Sequence, residues 1–153
     1  MAPETDLAAL SQPYLSGFSA FVLMQKRGYD LYALARLGDR VLGAEAVELA
    51  LQRTAEQWGG VLRRRHPVAC AWRILRETVR VACLHAPDPA ADLLNRHLPA
   101  DRADVELLHR IGLSVVQTAR LMGRETAETA TDLLMVQRAL DAANEKETTT
   151  GHR

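Results

Sequence analysis

The chain has 153 residues, 48% of them hydrophobic and 25% charged, which is enough apolar surface for one core or two small ones and too much for a disordered chain. Its formal net charge is zero, so no whole-molecule positive field exists to hold a polyanion by counterion release; any nucleic-acid contact has to be local. Ala, Leu, Arg and Glu dominate, and aromatic residues make up only 5%, a composition that favours helices over strands.

Apolar residues recur at spacings of three and four along most of the chain, and the expectation is an all-α fold. A first helix is expected from about Tyr14 to Arg27, with Leu15, Phe18, Phe21 and Val22 on one face and Gly28 ending it. A second, from about Asp30 to Leu37, turns Leu31, Leu34 and Ala35 inward and stops at Gly38. Asp39 is placed to cap a third helix carrying Val47, Leu51, Ala55 and Trp58, which Gly59 and Gly60 should break. Pro67 suits the first position of a fourth helix, whose inward face would be Ala71, Trp72, Leu75, Val79 and Ala82. Together these helices form an expected unit over residues 12–85, with Trp58 and Trp72 as core anchors.

Pro87 and Pro89 exclude a continuous helix, so residues 86–100 read as a linker with a short helix that Asp88 would cap and that holds Leu93 and Leu94. Pro99 interrupts; a helix from about Asp101 to Ile111 then ends at Gly112, and two more flank Gly123, which makes a second unit over residues 101–143. Residues 144–153 have nothing to bury and are expected to be a disordered tail. The start of the chain carries Glu4 and Asp6 and no basic or apolar leader, and no stretch approaches 18 apolar residues; a cytoplasmic protein without membrane contact is expected. Cys70 and Cys83, thirteen positions apart on one helix, are too far apart to bond and are expected as reduced thiols.

The strongest local pattern runs from Gly112 to Leu140. Ser114 stands where an N-cap belongs, Ala119 is small where two helices would approach, and Met122 and Gly123 supply a tight turn before an amphipathic helix with Leu133, Val136 and Leu140. This is helix-turn-helix spacing, although two helices joined by a Gly turn in an ordinary bundle would look the same in isolation. No Gly-rich phosphate loop, Gly-x-Ser-x-Gly elbow or His-Glu-x-x-His helix is present, so no enzyme activity, cofactor or small-molecule substrate is expected. Cys70, Cys83, His85 and His97 lack metal-ligand spacing, and no metal site is expected.

The order of helical unit, linker and helix-turn-helix unit resembles the extracytoplasmic-function RNA polymerase sigma factors, which keep only the second and fourth conserved regions of larger sigma factors. The run from Tyr32 to Asp39 (Tyr-Ala-Leu-Ala-Arg-Leu-Gly-Asp) and that from Ala44 to Glu48 (Ala-Glu-Ala-Val-Glu) are similar to the family's polymerase-binding helices. Trp58 stands where those helices usually end in Trp, and the run from Ala71 to Arg76 is similar to the Trp-led helix that melts promoter DNA. Leu98 with Pro99, Gly112 to Ser114, Ala119 and Leu121 to Gly123 resemble the start and turn of the fourth region. The likeness covers about residues 14–141, and Lys26 and Lys146 as the only lysines fit a bacterium with a GC-rich genome. It implies two helical domains, region-2-like and region-4-like, and a polymerase-binding face carrying Tyr32, Arg36, Glu45 and Glu48; the short stretch between the two units, about a dozen residues, leads to the expectation that they pack together. It also implies DNA contacts through Arg63, Arg64, Arg65, Arg76, Arg80, Arg120 and Arg124.

The departures from the family pattern bear on function. Ala46 replaces an acidic residue of the polymerase-facing stretch, and Glu77 to Cys83 replace the basic run that would hold melted DNA. Where the recognition helix of the family carries cations, this chain has Glu128, Thr129, Ala130, Thr131 and Asp132, with Glu125 nearby, so attraction to phosphate becomes repulsion. The expectation is a sigma-factor-like transcription regulator with core RNA polymerase or another regulatory protein as partner and, at most, weak promoter contact. Two alternatives stand beside it: a sigma-derived adaptor or anti-sigma decoy that works by protein contact alone, and a stand-alone helix-turn-helix DNA-binding protein.

Overall fold

The computed structural model describes the backbone of residues 3–86 and 93–151, and the side chains of residues 17–86, 94–95 and 97–151. Every regular element among the described residues is an α-helix, and the chain divides into two compact units, Met1–Ala91 and Asp92–Arg153.

The first unit holds α1 (Pro3–Leu37), α2 (Arg40–Glu56), α3 (Trp58–Arg63) and α4 (Pro67–Leu84). Where the sequence predicts two helices separated at Gly28, α1 runs unbroken, because that glycine keeps a negative φ and its neighbours are anchored in the core. Tyr29, Tyr32 and Ala33 are fully buried and Leu37 nearly so, and that burial outweighs the roughly 1 kcal/mol a helical glycine costs. The helix does stop at Gly38, whose φ of 67° lets its N–H donate to Leu34 O at 2.8 Å. Asp39 caps α2 as expected, its Oδ1 accepting from the Leu42 N–H at 2.9 Å.

Glycines 59 and 60 do not break the chain either; both lie inside α3, and Trp58 opens that short helix instead of closing α2. The buried face of α2 is Gly43, Ala46, Val47, Ala50 and Thr54, whereas Ala55 is exposed and Leu51 half-buried. Gly43 lets α2 approach α1 closely: a Cβ there would lie 3.2 Å from the Leu34 backbone nitrogen and 3.4 Å from the Ala33 carbonyl carbon. In α4, Pro67 takes the first position, and Ala71, Trp72, Leu75 and Val79 face the core, with Ala82 half-buried.

An aromatic stripe on α1 ties these helices together. Phe18 and Phe21 each lie 5.3 Å from Trp58, and Tyr29 and Tyr32 lie 5.7 and 4.6 Å from Trp72, distances at which tilted and edge-on rings attract. Burial pushes the Tyr29 phenol far above its ordinary range. Cys70 and Cys83 are both half-buried and neither is in a disulfide.

The second unit holds α5 (Leu93–His97), α6 (Ala100–Arg110), α7 (Val115–Met122) and α8 (Thr126–Thr150). The expected linker prolines and the Asp88 cap lie outside the described residues. Ala103, Val105, Leu108, Ala119, Leu121, Met122, Leu133 and Val136 form the core. The expected disordered tail is replaced by helix as far as Thr150, because the exposed side chains from Asp141 onward need no burial to continue a helix already nucleated on the core. No helix among the described residues is long and apolar enough to cross a membrane.

Candidate functional site

The helix-turn-helix is built locally, from caps and a turn. Ser114 Oγ accepts from the Gln117 N–H at 3.1 Å while Gln117 Oε1 accepts from the Ser114 N–H at 2.9 Å, a reciprocal cap that starts α7. Gly123 ends it in the left-handed conformation, φ 71°, and the Arg124 N–H closes the turn onto Ala119 O at 2.8 Å. Thr129, Leu133 and Val136 bury one face of α8, leaving Glu125, Thr126, Ala127, Glu128 and Thr131 exposed on its first turns.

That outer face carries two carboxylates and no cation. Arg124, which the sequence offers for phosphate contact, instead donates to Asp132 Oδ2 at 2.6 Å and lies 3.1 Å from Glu128 Oε1; its side chain is only 13% exposed. Burial would lower its pKa, but the hydrogen bonds and charges of Asp132 and Glu128 prevail and raise it. Asp132 is also not on the outer face, where the resemblance would place it: it is half-buried between Arg124 and Arg102, whose Nε is 3.6 Å away. Phosphate repulsion therefore falls to Glu125 and Glu128. Arg120 is exposed and without an ion pair among the described residues.

In the first unit the expected polymerase-facing set divides. Tyr32 and Arg36 are 0% and 3% exposed, and Arg36 Nη1 donates to Tyr32 Oη at 3.0 Å, so both belong to the interior and neither can meet a partner. Glu45 and Glu48 are exposed on α2, one turn apart and so neighbours on its surface. Glu48 lines a trough of about 890 Å³ between α1 and α2 whose floor includes Leu23, Leu31, Leu34, Val47 and Leu51 and whose wall also carries the charged Lys26, Arg27, Asp30 and Arg40. Leu23 is 85% exposed and Met24 81%, both off the inward face expected for Leu15, Phe18, Phe21 and Val22.

The expected DNA-facing arginines divide too. Arg63, Arg64 and Arg65 are exposed at and after the end of α3. Arg76 is half-buried on α4, and Arg80 is held by Glu77 through two hydrogen bonds of 2.6 and 2.9 Å. The hydrogen bond from Arg80 lowers the Glu77 pKa below its ordinary value, and the Arg80 charge adds to this. Sequence reasoning missed Arg53 and Arg73, which join Arg64 around a groove of about 370 Å³ between α2 and α4. Arg53 and Arg73 are twenty positions apart, so only helix packing could reveal their proximity. Among the described residues no group of three or more His, Cys, Asp or Glu could hold a metal ion. No family model, curated protein or solved structure matches the chain.

Proposed function

We propose that the chain is a sigma-factor-like transcription regulator that meets core RNA polymerase through the first unit and does not read promoter DNA with its recognition helix. The α1–α2 trough carries this reading: an apolar floor with the exposed Leu23, rimmed by Glu48 and by Lys26, Arg27, Asp30 and Arg40, on helices whose sequence resembles the polymerase-binding helices of the extracytoplasmic-function sigma factors. The leucines and valine of this surface gain from desolvation against another protein, and its mixed charges suit a polar rim around such a contact.

The acidic outer face of α8 supports the second half of the reading. With Arg124 committed to Asp132 and Glu128, each cation withheld from phosphate removes its share of counterion release, and Glu125 and Glu128 oppose approach. The adaptor and decoy alternatives share the same trough and differ in the partner seated on it. Co-elution with core RNA polymerase, set beside fluorescence anisotropy with labelled duplex DNA, tests the proposal. It expects co-elution without saturable duplex binding; sequence-specific duplex binding by the isolated chain would favour a stand-alone DNA-binding protein.

A further inference from the structure

The α2–α4 groove has a chemistry that the proposed function leaves unused. Its wall includes Arg53, Arg64 and Arg73, with Thr78, Ile74 and Cys70 beside them. Arg53 Nη1 donates to Thr78 Oγ1 at 3.2 Å, and the Thr78 hydroxyl donates onward to Ile74 O at 2.8 Å, so a side chain only 3% exposed tethers one guanidinium across the groove. None of the three arginines forms an ion pair among the described residues. The one carboxylate in the wall, Glu77, is occupied by its two hydrogen bonds from Arg80.

Three arginines sharing a concave surface repel one another, and the one carboxylate in the wall, Glu77, is already neutralised by Arg80. Guanidinium forks match the oxygens of a phosphate, and a volume of about 370 Å³ is at the small-ligand end of the range for binding clefts. We propose that this groove binds the diphosphate group of a small diphosphate ester, with Arg53, Arg64 and Arg73 as its ligands. The site lies apart from the trough residues invoked for polymerase, and it requires no role in DNA reading.

Isothermal titration calorimetry of the full chain with inorganic pyrophosphate tests this, with a single-stranded oligonucleotide as the second arm. Saturable one-to-one pyrophosphate binding is expected. Arg73→Gln should weaken it about tenfold, the loss of one charge-assisted hydrogen bond, and Arg53→Gln similarly, while Arg120→Gln in the other unit leaves it unchanged. Both groove arginines are exposed, and far-UV circular dichroism checks that each variant stays folded; should Arg53→Gln unfold, Arg73→Gln carries the comparison alone. Absence of saturable pyrophosphate binding, equal weakening by Arg120→Gln, or binding confined to the oligonucleotide would each overturn the proposal.

Discussion

Replacing Asp132 with asparagine removes the carboxylate that two guanidiniums share. Arg124 approaches it to 2.6 Å and Arg102 to 3.6 Å, and the side chains of Arg124 and Asp132 are 13% and 16% exposed. At an effective dielectric near 20, one such pair with charge centres about 4 Å apart is worth roughly 4 kcal/mol before desolvation is subtracted. Exposed pairs net about 0–1 kcal/mol and breaking fully buried ones costs about 3–5 kcal/mol, so Asp132→Asn in this intermediate setting should cost about 2 kcal/mol. Glu128 offers the internal comparison: it meets the same guanidinium at 3.1 Å but is 62% exposed, and Glu128→Gln should cost no more than about 0.5 kcal/mol. Urea unfolding followed by far-UV circular dichroism measures both. Equal costs for the two variants, or a harmless Asp132→Asn, would refute the assignment of Arg124 to an internal clamp.

The α1–α2 crossing offers a second test. Gly43→Val places a branched side chain against the Leu34 and Ala33 backbone and should destabilise the first unit by about 2 kcal/mol or more in the same unfolding assay, more than Gly43→Ala. For Glu77, a carboxyl-carbon NMR titration should give a midpoint below the ordinary 4.5, moving back toward it in Arg80→Ala. Because the folded pKa is the lower one, the contribution of this pair to stability is present above the unfolded value and fades as pH falls through the folded one.

Much of the fold was legible because its signals are local. Asp39, Gly38, Pro67, Ser114 and Gly123 act through caps and turns that a sequence displays directly, and each stands where its chemistry places it. The errors came where tertiary packing overrides propensity. Gly28 reads as a stop, yet Tyr29 and Tyr32 against Trp72 hold the helix through it, and Gly59 and Gly60 are carried within α3. The candidate surface was harder still to read. Tyr32 and Arg36 look like partner-facing residues in a linear motif but are core, and Arg124 looks like a phosphate ligand but is consumed by acids four and eight residues on. Which side of a helix a residue occupies depends on neighbours remote in sequence, as with Arg53 and Arg73 across the α2–α4 groove.

The most direct test of the account is size-exclusion co-elution of the purified chain with core RNA polymerase from a GC-rich bacterium, run beside its Glu48→Lys variant. Glu48 is exposed beside the trough, so the reversal leaves the fold intact while changing the charge a partner meets. The account predicts co-elution of the native chain and its marked weakening in the variant. Absence of co-elution, or co-elution indifferent to the charge at Glu48, would contradict it.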